Sequence, residues 1–239
     1  MMRPIAIVVL VVSSSLAYAD DHGSVHYGRH DFARYCASCH GYAGDGNGTN
    51  AQQFDSMATD FTRGVYKCRS TPTGTLPTDD DLRRSIEHGL SDSGMPSFVA
   101  LGPLQTDDLV ATLKSFSSRF MHEAVGPPVA VPKETPNNAE SVARGAASWS
   151  RLKCDTCHGQ GRGRVAADAT LRNDDGTEAH LPDLTQRASY RCGSEDTRVF
   201  ITLMTGLDGT PMSGYAGIVS ADDAWDLVHF LAQLRHRGR

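Results

Sequence analysis

Two pentapeptides decide the fold: Cys36-Ala37-Ser38-Cys39-His40 and, later in the chain, Cys154-Asp155-Thr156-Cys157-His158. Around them the sequence is written twice. Asp60-Phe61-Thr62 with Tyr66-Lys67-Cys68 returns as Asp183-Leu184-Thr185 with Tyr190-Arg191-Cys192. Leu82, Ile86, Gly89-Leu90, Met95 and Phe98 return as Val199, Leu203, Gly206-Leu207, Met212 and Tyr215 with the same internal gaps. Two copies of about 100 residues are too few for a solenoid, so the repeat reads as a duplicated domain.

A chain of 239 residues suits two small domains. The expected organisation is a signal peptide over 1–19, an N-terminal domain over 20–122, a linker over 123–140 and a C-terminal domain over 141–239. Met1-Met2-Arg3, the apolar run Ile5 to Val12 and the small-x-small Ala17-Tyr18-Ala19 form the export signal. Its apolar run is far short of the roughly 20 residues that cross a bilayer. Cleavage after Ala19 sends the chain to the oxidising periplasm. Pro127, Pro128, Pro132 and Pro136 make the linker extended and semi-rigid.

The fold class reads as all-α: two tandem helical domains related by a pseudo-two-fold duplication. Thr78 with Asp81 is a capping pattern ahead of the stripe Leu82, Ile86, Leu90. Thr106 is expected to open a further helix, and Ser220 with Asp223 its counterpart. A net charge of −5 without basic blocks excludes nucleic acid as a partner. Six cysteines are too few for a disulfide-dense scaffold, so their spacing carries the information.

Two cysteines three apart followed directly by histidine suit covalent haem attachment. The thiols add to the two vinyl groups, and the adjacent imidazole lands on the iron. A zinc site needs four donors, and a dithiol redox pair needs no trailing histidine. The pentapeptides therefore predict two covalently bound haem c groups, held by Cys36, Cys39, Cys154 and Cys157 with His40 and His158 on the irons.

With these residues the chain resembles the class I c-type cytochromes, in particular dihaem proteins built from two such domains. The resemblance also rests on Gly44–Gly48, Arg69-Ser70-Thr71-Pro72 through Leu76-Pro77-Thr78, and Gly94-Met95-Pro96-Ser97. It implies a small helical fold with one buried haem per domain and an exposed haem edge. It also implies a loop methionine as second axial ligand, and Met95 and Met212 match that position. Met95 follows His40 by 55 residues and Met212 follows His158 by 54. His/Met coordination raises the reduction potential. Met57, Met121 and Met204 lack this context, and Met204 reads as packing. His88 aligns with Thr205, which favours a structural or exposed role over ligation. His22, His26 and His30 read as a solvated face.

Cys68 and Cys192 lie outside the pentapeptides and depart from the family, where an apolar or aromatic residue is usual. Three readings stay open: a Cys68–Cys192 disulfide between equivalent positions, two buried thiols, or an axial thiolate marking a sulfur-oxidising haem. Lys67, Arg69 and Arg191 are candidates for haem propionates, with a solvated surface as the alternative. Asp45 and Asn47 suggest a calcium loop, but Ser56 stands where its glutamate should. A mature terminus Asp20-Asp21-His22 has nitrogens suited to Cu(II), which reads as incidental chemistry.

The functional expectation is a periplasmic carrier of single electrons, its acidic surface steered to a basic patch on periplasmic redox proteins. The rivals are a dihaem peroxidase or thiosulfate-type dehydrogenase, and the electron-transfer subunit of a larger oxidoreductase. A catalytic haem needs an open or differently ligated iron, whereas both loop methionines are present.

Overall fold

The computed structural model describes residues 23–53, 57–163 and 171–237; the expected signal peptide, the Asp20-Asp21-His22 terminus and Ser56 lie outside them. The N-terminal half holds α1 (Val25–Tyr35), α2 (Ala37–His40), α3 (Asp79–His88), α4 (Pro103–Ser115) and α5 (Arg119–His122). The C-terminal half holds α6 (Ala139–Arg151), α7 (Cys154–His158), α8 (Asp196–Thr205) and α9 (Ala221–Arg237). Among the described residues β structure is limited to isolated bridges. The all-α duplicated fold read from the sequence is the one observed.

In each half the first long helix crosses the last: α1 packs on α4 and α6 on α9. Glycine makes both crossings. A Cβ on Gly28 would lie 2.0 Å from the Asp108 carbonyl oxygen, and one on Gly145 would lie 2.0 Å from that of Asp226. No other residue lets the backbones approach so closely. Phe32, Leu82, Ile86, Leu109, Val110 and Leu113 fill one core; Trp149, Val199, Phe200, Leu203, Trp225, Val228 and Leu231 fill the other.

The capping pattern at α3 forms as a reciprocal box. The Thr78 hydroxyl accepts from the Asp81 N–H (3.1 Å), and the Asp81 carboxylate accepts from the Thr78 N–H (3.0 Å). Ser220 likewise accepts from the Asp223 N–H at 3.1 Å. Thr106 does not open α4, which starts at Pro103. Proline needs no N–H partner in a first turn and its φ is preset for helix, so it takes the start. Thr106 is instead buried, its hydroxyl donating to the Gly102 carbonyl at 2.8 Å. Leu90 also falls outside the helical stripe, because α3 stops at Gly89.

The proline-rich stretch carries no helix before α6 and is fastened to both halves. The Val129 N–H donates to the Ser70 carbonyl at 2.8 Å, and Glu134 meets the buried His229 ring at 3.0 Å. The halves are also joined covalently: Cys68 and Cys192 form a disulfide, with 5.2 Å between their Cα atoms. Beside it, Arg69 pairs with Asp208 at 2.6 Å and Arg191 with Asp92 at 2.9 Å. Each arginine flanks its own half's cysteine and reaches into the loop that follows α3 or α8 in the other half.

Candidate haem sites

The pentapeptides are built as short helical turns. Cys36 ends α1, and the next turn brings round His40, whose N–H donates to the Cys36 carbonyl at 2.9 Å. In the second copy Cys154, Cys157 and His158 all lie on α7. The four thiols are half-buried and unpaired with one another. Burial, helped by Asp31 and Cys39, pushes the Cys36 thiol up to about 12, and burial also raises Cys154.

His40 is oriented from behind. Its Nδ1 lies 3.1 Å from the Thr59 carbonyl oxygen, and its ring stacks on Phe61 with centroids 4.5 Å apart. A carbonyl only accepts, so Nδ1 carries the proton and Nε2 keeps a free lone pair for a metal. Burial lowers the affinity of the ring for a second proton, which keeps that lone pair available. His158 is likewise held down by burial and packs near Trp149, but among the described residues its buried Nδ1 has no hydrogen-bond partner.

Met95 and Met212 stand in loops closed the same way. The Leu90 N–H donates to the Met95 carbonyl at 3.0 Å, and the Leu207 N–H to that of Met212 at 2.9 Å. Phe98 then bonds back to Ile86 at 3.0 Å, as Tyr215 does to Leu203 at 2.9 Å. Gly89 and Gly206, both at positive φ, permit this turn: a Cβ on either would lie 2.5 Å or 2.6 Å from the Met95 or Met212 carbonyl.

Around the C-terminal set lies a cavity of about 610 Å³. Cys154, Cys157, His158 and Met212 line it together with Trp149 and Leu231. It reaches across the seam to Thr59, Arg63 and Lys67 of the N-terminal half, and Arg191 lines it while bonded to Asp92. Burial, with Arg191 nearby, holds the Lys67 ammonium below its usual range. In the N-terminal half Cys36 and Cys39 flank His40 on the α1–α2 turn, and Met95 holds the loop position of Met212.

Arg69 is placed differently from the expectation. It is 1% exposed and does not line the cavity; its guanidinium donates to the Thr205 carbonyl (2.9 Å) and the Asp208 carboxylate (2.6 Å) across the seam. A buried guanidinium takes the partners that remove its charge penalty, and Asp208 supplies them. Of the other methionines, Met57 lines the cavity at an exposed position, whereas Met121 is 75% exposed and Met204 packs on the α8 core, both outside it. His26, His30 and His88 are exposed.

Sequence reading missed Thr59, whose contribution is a backbone oxygen without a side-chain signature. It also missed the network Glu134–His229–Ser141–Asp226, with links of 3.0, 2.6 and 2.6 Å. The only signal there was a histidine on the apolar side of α9.

These residues fit a covalently held haem. Each turn offers two free thiols and an imidazole, a thioether loop follows at a matched offset, and the cavity lies within the usual size of cofactor sites. Residues 23–113 and 140–231 both match the family described as "Cytochrome C oxidase, cbb3-type, subunit III". Among solved structures, a chain of the Kuenenia stuttgartiensis reducing HAO-like protein complex is similar, with 33% identity and a TM-score of 0.85. The match covers 88% of this chain and 96% of that one. No curated protein matches the chain.

Proposed function

This chain belongs to that cytochrome family and carries two covalently bound haem c groups, and we propose that it passes single electrons between redox partners without transforming a substrate. The observation that carries this reading is the identical closure of the two methionine loops by the Leu90–Met95 and Leu207–Met212 bonds. A thioether from each loop, together with each histidine, would leave no open iron position for a reactant.

When bound, each haem supplies one-electron chemistry at its iron. Cys36 with Cys39, and Cys154 with Cys157, supply the thioether links. His40 with Met95, and His158 with Met212, would hold the irons. The Thr59 carbonyl fixes the tautomer and direction of His40. Lys67 and Arg191, with Arg63 beside them, supply cations for propionates at the cavity's seam side. The disulfide and the two cross-seam ion pairs hold the halves at one separation.

Residues 1–19 act as a cleaved export signal, and the chain works in the periplasm. The disulfide supports this, since such bonds persist in oxidising compartments. Partners are redox proteins that present a basic patch to the acidic surface of this chain. A second reading, the electron-transfer subunit of a larger oxidoreductase, is favoured by one observation: the similar chain is part of a reducing HAO-like complex.

Spectroelectrochemical titration of the purified protein tests the proposal, following the weak far-red band of methionine-ligated ferric haem. Two such centres, both inert to added cyanide or carbon monoxide at rest, are expected. One centre that binds either ligand at rest overturns the carrier reading in favour of an enzyme.

A further inference from the structure

Beside the disulfide, on the domain seam, lies a second cleft of about 190 Å³. Only the segment around Tyr190 to Gly193 walls both it and the large cavity. Arg84 and His88 face it from α3, Arg187 and Arg191 from the segment before α8, and Arg198 from α8. Glu195 is the one carboxylate among its lining residues.

The charges in this cleft do not balance. Arg191 has its own partner in Asp92 at 2.9 Å. Glu195 makes a loose ion pair with Arg84 at 3.7 Å, beyond hydrogen-bond reach. Arg198 donates through Nε to the Cys192 carbonyl at a long 3.4 Å, and among the described residues no carboxylate lies within ion-pair distance of it. Arg187 has no ion-pair partner among the described residues either. Burial, with Arg84 close by, depresses the Arg198 guanidinium below its usual range. Asp81 and Glu195 attract it only from beyond contact, and a partly desolvated cation with no carboxylate in contact costs free energy that an arriving anion relieves. In a chain of net charge −5, a pocket of four arginines is a local reversal of sign.

We propose that this cleft binds a small oxyanion of the sulfate, phosphate or nitrate class, with Arg198 as its principal ligand and Arg84 and Arg187 beside it. Guanidinium forks match such oxygens in pairs, which a monatomic halide cannot exploit. The volume equals roughly six waters of liquid, enough for one oxyanion with part of its shell and too little for a peptide segment. Leu90 and Ser91, which open the Met95 loop, line the same cleft. A bound anion therefore places negative charge beside that loop.

The site does not depend on the chain being a carrier, and its test reads binding itself. The holoprotein is titrated calorimetrically with sulfate, phosphate and nitrate, with chloride at matched ionic strength as the control. Saturable uptake of at least one oxyanion over chloride is expected, weakened about tenfold or more by Arg198→Gln. Arg187→Gln, at an exposed position, is the second variant and should weaken uptake while leaving the fold untouched. Oxyanion heats no different from chloride, or wild-type affinity in both variants, overturn the proposal.

Discussion

Arg69 of the N-terminal half and Asp208 of the C-terminal half form an ion pair at 2.6 Å in which the guanidinium is fully buried. Burial lowers the arginine and raises the aspartate, so desolvation outweighs attraction on both sides. Such a pair specifies geometry more than it adds stability. Removing one partner is a different matter. Asp208→Ala strands a buried cation and also unpairs the Gly74 N–H, so unfolding by denaturant should show a loss of about 3–5 kcal/mol.

The disulfide closes a sequence separation of 124 residues. Replacing both Cys68 and Cys192 by serine should lower stability by about 4–5 kcal/mol, through restored freedom of the unfolded chain. Thiol titration of the denatured, unreduced holoprotein should find neither cysteine free. Two reactive thiols would contradict the bond.

The methionines predict separable spectra. On the proposed ligation, Met95→Ala and Met212→Ala should each remove about half of the far-red band. The histidines make the centres unequal. His40 donates to Thr59 while His158 has no such partner among the described residues, and that bond would make His40 the more basic ligand. The N-terminal centre should therefore titrate at the lower potential, and Met95→Ala should alter the lower of two waves. An unchanged lower wave in that variant would count against the assignment.

Acid should weaken the C-terminal half through Asp226. Burial pushes its carboxyl up, but the bonds from Arg144 and Ser141 together outweigh that and hold it below the usual range. A carboxyl lower in the folded than the unfolded state stabilises above its unfolded pKa and loses that contribution as pH falls through the folded value. Below about pH 4, wild type should lose stability faster than Asp226→Asn. Thermal unfolding across pH 2 to 6 reads the difference, and parallel curves would exclude the contribution.

Gly145 should tolerate no side chain. Alanine there drives a methyl into the Asp226 carbonyl, forcing α6 off α9 at a cost of about 1–3 kcal/mol. Gly28→Ala should do the same to α1 and α4. A melting temperature unchanged in either variant would show that the crossing can relax.

Much of the site was legible because its chemistry is local in sequence. The CxxCH turns, the Thr78 cap and the methionine loops each need only a few consecutive residues, and duplication showed them twice. Arg69 was misread for the opposite reason. Its neighbours Ser70 to Pro72 look like one half's haem loop, yet its partners Thr205 and Asp208 lie in the other half. Thr59 was invisible because backbone oxygens have no sequence signature.

By itself, then, the order of amino acids determined two helical haem-binding units, since helix periodicity and motif spacing are short-range properties. Folding alone decided what the repeat could not say: that Cys68 meets Cys192, that each half's arginine grips the other's methionine loop, and that four arginines converge on one cleft. The disulfide and the two ion pairs join residues 99 to 139 positions apart. Only the burial of one surface against another brings them within bonding distance.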